Sequence, residues 1–110
     1  MTYKKITPKE LHERLQSGEK VRLLDVRAEE KFNEFHIKES RNLPKNVIFQ
    51  LDEKQDAQLS LPKDQEIIVT CTTGNSASKC AAILNTHDYH VTVLDGGLTA
   101  WKVYMNSLED

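Results

Sequence analysis

Apolar and polar positions along this chain follow two rhythms. Short aliphatic and β-branched runs read as strands: Val21-Arg22-Leu23-Leu24-Asp25-Val26, Ile67-Ile68-Val69-Thr70 and His90-Val91-Thr92-Val93-Leu94. The first is mostly apolar, which predicts burial on both faces of a sheet. Between the runs the spacing turns helical. Thr7-Pro8-Lys9-Glu10 is a helix start, with threonine as N-cap, proline in the first helical position and glutamate completing a capping box. Leu11 and Leu15 lie one turn apart, and Gly18 is a natural stop, so a helix is predicted over Pro8 to Gln16. A short helix over Glu29 to Glu34 is expected to present Phe32 to the core. Asn42-Leu43-Pro44 should be extended, because a residue before proline is pushed out of the helical region. A helix is expected over 46–52, with Val47, Ile48 and Leu51 as its apolar face. The stretch 52–63 is the most polar and least periodic, and reads as a surface connection ending in a turn at Pro62-Lys63-Asp64. Asp95-Gly96-Gly97 is a turn using positive φ, followed by a helix from Leu98 to Tyr104 with Leu98, Trp101 and Met105 on one side.

Strands alternating with helices predict an α/β fold, a central and mostly parallel sheet with helices on both faces and right-handed crossovers. The 110 residues suit one domain spanning 1–110, without repeat or linker. In sheets of this kind sites form beyond the carboxyl ends of the strands.

Charge removes several function classes from consideration. Fifteen basic and 17 acidic residues leave a net charge of -2, which gives no basis for nucleic-acid or membrane-surface binding. No apolar stretch approaches a membrane span, and the opening residues MTYKKITPKE lack the apolar core of a signal peptide, so a cytoplasmic location is expected. Cys71 and Cys80 are too few for a disulfide framework. Their spacing fits no metal motif and the four histidines are scattered, so no metal and no cofactor are expected.

The chemistry is concentrated between Ile67 and Leu84. A strand ends at Thr70, and a helical pattern with Cys80, Ile83 and Leu84 on its apolar face follows. Between them stands Cys71-Thr72-Thr73-Gly74-Asn75-Ser76, small, polar and hinged on a glycine. Such a loop in front of a helix offers unpaired backbone N–H groups and the positive end of the helix dipole. It can form a nest for an anion, and a thiolate is such an anion. Two readings of Cys71 stand on local sequence: a reactive thiolate, or a buried cysteine before an ordinary polar turn.

Three separated stretches resemble one family. Asp25-Val26-Arg27 with Glu30 and Phe32, then His36-Ile37 and Asn42-Leu43-Pro44, resembles the rhodanese pattern D-V-R-x-x-x-E-F-x-x-G-H-I-x-x-A-x-N-I-P. Cys71 to Ser76, followed by Ala81-Ala82 and Leu84, is similar to the rhodanese active-site loop and its helix. Leu94-Asp95-Gly96-Gly97-Leu98 with Ala100-Trp101 resembles that family's closing L-x-G-G-x-x-A-W signature. The resemblance implies a single-domain, thiosulfate sulfurtransferase-like protein. It implies that Cys71 attacks a small sulfur donor (thiosulfate, a polysulfide or a persulfide) and carries the sulfur as a persulfide. A thiol or cyanide then accepts it, and a protein can stand as persulfide donor or acceptor. The amides of Thr72, Thr73, Gly74, Asn75 and Ser76 would surround the sulfur, and the side chains of Thr72 and Thr73 would line the mouth. Ser76 stands where many members have arginine, and Thr72 where they often have a second basic residue, so the loop has no cation. Phe35 replaces the family's glycine, and Lys38-Glu39-Ser40 its P-G-A.

The remaining residues have quieter readings. Asp25 is expected to be a structural carboxylate at a strand end, while Arg27 is equally a salt-bridge partner or a contact to the loop. His36 is expected to be a hydrogen-bonded scaffold residue. Lys79 lies a turn into the helix and should be solvated. Cys80 matches an inward alanine of the family pattern, so a buried inert thiol is expected rather than a resolving one. A cysteine-dependent phosphatase would need an arginine closing the loop, where Ser76 and Ala77 stand. The rival reading is a non-catalytic persulfide carrier or sulfur-relay module for a protein partner.

Overall fold

The computed structural model describes residues 3–53 and 61–108. Along the chain run β1 (Lys4–Ile6), α1 (Pro8–Gln16), β2 (Arg22–Asp25), α2 (Glu29–Glu34), β3 (Ser40–Asn42), α3 (Lys45–Glu53), β4 (Glu66–Thr70), α4 (Asn75–Thr86), β5 (His90–Leu94) and α5 (Gly97–Ser107). The strands form one parallel sheet in the order β1-β5-β4-β2-β3. This is the expected α/β architecture, with β4 at its centre. Most of the connection expected over 52–63, and the side chain of Leu51, lie outside the described residues.

Successive residues of the inner strands face opposite layers, because side chains alternate across a strand. Leu24, Val26, Ile67, Val69, Val91 and Val93 pack with Ile48 of α3 and with Ala77, Cys80, Ala81 and Leu84 of α4. Leu23, Ile68 and Leu94 pack on the other side with Leu11 of α1 and with Leu98 and Trp101 of α5. This explains the continuous apolar runs: both faces are covered. Each leucine fully buried in these layers contributes about 2 kcal/mol.

The capping box of α1 forms as expected. Thr7 Oγ1 accepts from the Glu10 amide at 3.1 Å, and Glu10 Oε1 accepts from the Thr7 amide at 2.9 Å. Gly18 follows the helix at φ +83°. The turn into α5 uses φ +76° at Gly96 and +60° at Gly97, as the glycine pair predicted.

Two features differ from expectation. Strand β1 has no counterpart in the sequence reading. Ile6 is its one buried residue, so three residues carry no periodic signal, and its lysines suit an exposed sheet edge. Phe32 does not enter the core, and α2 buries no residue. Its ring stacks on that of His36, with centroids 3.8 Å apart and planes 6° from parallel. A single turn and a half of helix at the margin of the sheet has no layer to pack into, so its aromatic residue pairs locally.

Candidate functional site

Strand β4 is central, and its end fixes the position of Cys71. Thr70 pairs in register with Asp25, so β4 and β2 stop at one level. The chain then leaves the sheet through Cys71 and turns at Gly74, whose φ of +104° is open to glycine but strained for other residues. Gly74 is the N-cap of α4. The turn brings two backbone amides onto the sulfur: Gly74 N–H donates to Cys71 Sγ at 3.0 Å, and Ala77 N–H at 3.3 Å. Of the five amides expected around the sulfur, that of Gly74 is the one seen to donate to it, and the second donor, Ala77, lies one residue beyond the loop in the first turn of α4. There Ala77 N–H has no intrahelical partner and the dipole is positive. Amides so directed stabilise negative charge on the sulfur.

The loop is held from behind by α5. Leu98 N–H donates to Cys71 O at 2.9 Å, and Thr99 N–H donates to Thr72 O at 2.9 Å. The backbones approach so closely that a Cβ on Gly97 would lie 2.6 Å from Cys71 O and 2.7 Å from Thr72 O. The second glycine of the closing signature thus has a physical role: it lets the start of α5 cap the carbonyls of the cysteine loop.

The end of β2 forms the adjoining wall. Asp25 is fully buried, and its carboxylate accepts from Arg27 Nε at 2.9 Å and Nη2 at 2.7 Å, and from the Arg27 amide at 3.0 Å. Arg27 Nη2 also donates to Phe35 O. Arg27 is therefore a salt-bridge partner that braces the turn, and its edge lines the cavity beside Cys71. Asn42, read from the sequence as extended backbone and as part of the family pattern, bridges this turn. Its Nδ2 donates to Asp25 O at 3.0 Å and Arg27 O at 2.9 Å.

Cys71 lies 4% exposed against a cavity of about 400 Å³. Thr72, Thr73, Asn75 and Ser76 line it, with Thr72 and Thr73 exposed at its edge. Three further lining residues were not singled out in the sequence: Ala28 before α2, Lys31 of α2 and Lys45, the first residue of α3. No local signal could have found them, since only the folding of β2 and β3 beside β4 brings them to the loop. Lys79 is exposed on α4. His36 is away from this cavity; its Nδ1 donates to Phe32 O at 2.7 Å, in keeping with a scaffold role.

Cys80 is fully buried in the layer that also holds Cys71. Burial pushes its thiol up to about 12, the neighbouring Cys71 adds to this, and Lys45 opposes it. At neutral pH it is a protonated, apolar filler. Among the described residues, no three His, Cys, Asp or Glu side chains gather as a metal site, and no helix is long and apolar enough to cross a membrane. The arrangement presents the Cys71 sulfur, with two amides aimed at it, to a small cavity.

Comparison with known proteins agrees with this geometry. The chain is 34% identical over 101 residues to the probable adenylyltransferase/sulfurtransferase MoeZ of Mycobacterium tuberculosis, covering 91% of this chain and 25% of that protein. It thus spans a quarter of MoeZ. It is 31% identical over 101 residues to the thiosulfate sulfurtransferase GlpE of Ectopseudomonas mendocina, covering 91% of this chain and 85% of that one. A crystal structure of a rhodanese-like domain protein from Staphylococcus aureus superposes with a TM-score of 0.77 at 26% identity, covering 89% of this chain and 90% of that one. Residues 7–104 match the rhodanese-like domain family, whose members among these relatives are named sulfurtransferases. With a cysteine loop at the end of a central parallel strand, closed by a glycine pair, the chain belongs to the rhodanese-like domain family.

Proposed function

We propose that this chain, read as one domain over 1–110, is a sulfurtransferase that moves sulfane sulfur through a Cys71 persulfide. The observation that supports this best is Cys71 Sγ, held by the Gly74 and Ala77 amides against a small cavity. The thiolate attacks the outer sulfur of a donor such as thiosulfate. A Cys71–sulfur bond forms, the donor's S–S bond breaks, and sulfite leaves with the electron pair. The persulfide keeps one negative charge, which the same amides stabilise. An acceptor, cyanide or a thiolate, then attacks the outer sulfur and Cys71 leaves as thiolate. Two half-reactions through one covalent intermediate predict ping-pong kinetics.

The nucleophile needs no separate base if it is already ionised, which fits His36 lying away from the sulfur. Asp25, Arg27 and Asn42 position the wall of the cavity rather than take part in bond changes. The chemistry needs a reduced thiol, and we assign it to the cytoplasm on that ground. Neither nucleic acid nor membrane enters this reading.

Cyanolysis tests it. The protein is incubated with thiosulfate or polysulfide and cyanide, thiocyanate is measured, and Cys71 is examined by mass spectrometry. Turnover with a gain of one sulfur on Cys71, abolished in Cys71→Ser, is expected. A stoichiometric persulfide without turnover would favour a carrier for a protein partner, and no sulfur on Cys71 with any donor would overturn the reading.

A further inference from the structure

The loop around Cys71 contains no cation, yet the cavity in front of it does. Lys31 and Lys45 reach its lining from α2 and α3. Arg27 lines it too, but its charge is matched by the buried Asp25 carboxylate through bidentate contacts, and its Nη2 is also held by Phe35 O. Neither lysine ammonium makes an ion pair among the described residues. No carboxylate is found in the described lining; Glu29 and Glu30 lie on α2 outside it. The mouth is therefore positive although the chain is acidic overall.

We propose that Lys31 and Lys45 are the specificity-determining residues of this site: together they draw to Cys71 a small donor that carries negative charge beside its transferable sulfur. They supply from separate elements the charge that the loop lacks. The chemistry differs from that of a loop arginine. A guanidinium is a rigid fork matched to one geometry, whereas two lysines are point charges on flexible stems. They select for charge and size and tolerate different anion shapes. Both a thiosulfate dianion and an ionised low-molecular-weight persulfide meet that description. A long-range attraction of this kind acts on encounter and on binding rather than on the bond-making step.

The naming of a sulfur donor rests on the sulfurtransferase reading; the charge assignment does not, and the experiment separates them. Cys71 is alkylated with iodoacetate, an anion, and with iodoacetamide, its neutral analogue. The same thiolate attacks the iodinated carbon of each and displaces iodide, so the ratio of the two rates cancels any change in thiolate population and reports the potential at the cavity. Removing either lysine as Lys31→Gln or Lys45→Gln should lower the iodoacetate/iodoacetamide ratio about threefold, and removing both about tenfold, with less effect in 1 M salt. Lys31→Arg and Lys45→Arg should keep the ratio, and Lys79→Gln, outside the cavity, should leave it unchanged. A wild-type circular dichroism spectrum and urea midpoint show that the fold is intact in each variant. In turnover, KM for thiosulfate should rise in the double variant with kcat retained, and should rise less for a singly charged alkyl persulfide. A double variant with the wild-type ratio overturns the proposal whether or not sulfur is transferred. A lysine-dependent ratio in a protein that never loads sulfur upholds the charge assignment and removes the sulfurtransferase reading.

Discussion

The carbonyl oxygen of Cys71 accepts a hydrogen bond from the amide of Leu98 at 2.9 Å. Cys71 is thus gripped at both ends of its peptide neighbourhood. Its sulfur is held by the start of α4, and its carbonyl by the start of α5. Two helix N-termini, each with amides lacking intrahelical partners, converge on one residue. Thr72 O is held in the same way by Thr99 N–H, so the loop has little freedom to turn its sulfur away.

Gly97→Ala should therefore damage the site as well as the fold. The new Cβ would lie 2.6 Å from Cys71 O at a φ of +60°. A loss of more than about 2 kcal/mol is expected, from strain plus backbone displacement. Iodoacetamide should alkylate Cys71 at least tenfold more slowly in the folded variant. Gly18→Ala is the control: φ is +83° there but nothing lies within 4 Å. It should cost about 1 kcal/mol from backbone strain alone and leave Cys71 reactivity unchanged.

Breaking the Asp25–Arg27 pair should cost more than a surface ion pair would. Asp25 is 0% exposed, and the Arg27 side chain 11%. Asp25→Asn should destabilise the fold by about 3 kcal/mol in urea titration, because it strands a mostly buried guanidinium. Arg27→Met should cost a similar amount, and the double variant less than the sum of the two. An additive double variant would show that the two groups do not act as a pair.

Cys80 should make the fold sensitive to alkali. Its thiol is pushed up to about 12 in the folded state by burial, above its ordinary 9.0. The folded state therefore holds the proton more tightly than the unfolded chain. That contribution is complete below about pH 9, and is lost as the pH rises toward 12. Cys80→Ala should flatten this alkaline slope in stability-versus-pH curves. It should cost about 1 kcal/mol at neutral pH for the lost sulfur packing. Alkylation at pH 8 should label Cys71 alone in the wild type.

Glu66 should do the reverse in acid. Burial raises its carboxyl, but hydrogen bonds from Thr92 and Arg14 and the charges of Arg14 and Lys4 outweigh it, leaving the group below its ordinary 4.5. Its contribution is present above that value and is lost as pH falls through the lowered one. Because Glu66 is partly exposed, the effect should be under about 1 kcal/mol. Glu66→Gln should reduce the difference in urea midpoint between pH 7 and pH 3.

The helix α1 was legible to the residue, because its capping box and the Leu11–Leu15 spacing are local signals that no tertiary contact overrides. Strands β2 and β4 were legible because burial on two faces favours mostly apolar runs, and β5 because its residues alternate as a strand's do. The glycine pair at 96–97 announced its backbone geometry for the same local reason. Strand β1, with one buried residue, was silent, and Phe32 misled because an aromatic residue on a helix need not find a layer to enter.

Cys71 and its glycine-hinged loop could be picked out from the chain alone, since the position of a thiol between a strand and a helix is written in consecutive residues. Which amides reach the sulfur, and where the positive charge comes from, could not. Ala77 was next to the expected ring, but the turn of the backbone chose it. Lys31 and Lys45 reach the cavity of Cys71, and the Leu98 amide its carbonyl, only because β2, β3 and β5 assemble around β4. Contacts between residues far apart in sequence are decided by strand order and register, and a charge recruited from a distant helix leaves no trace in the local pattern of letters.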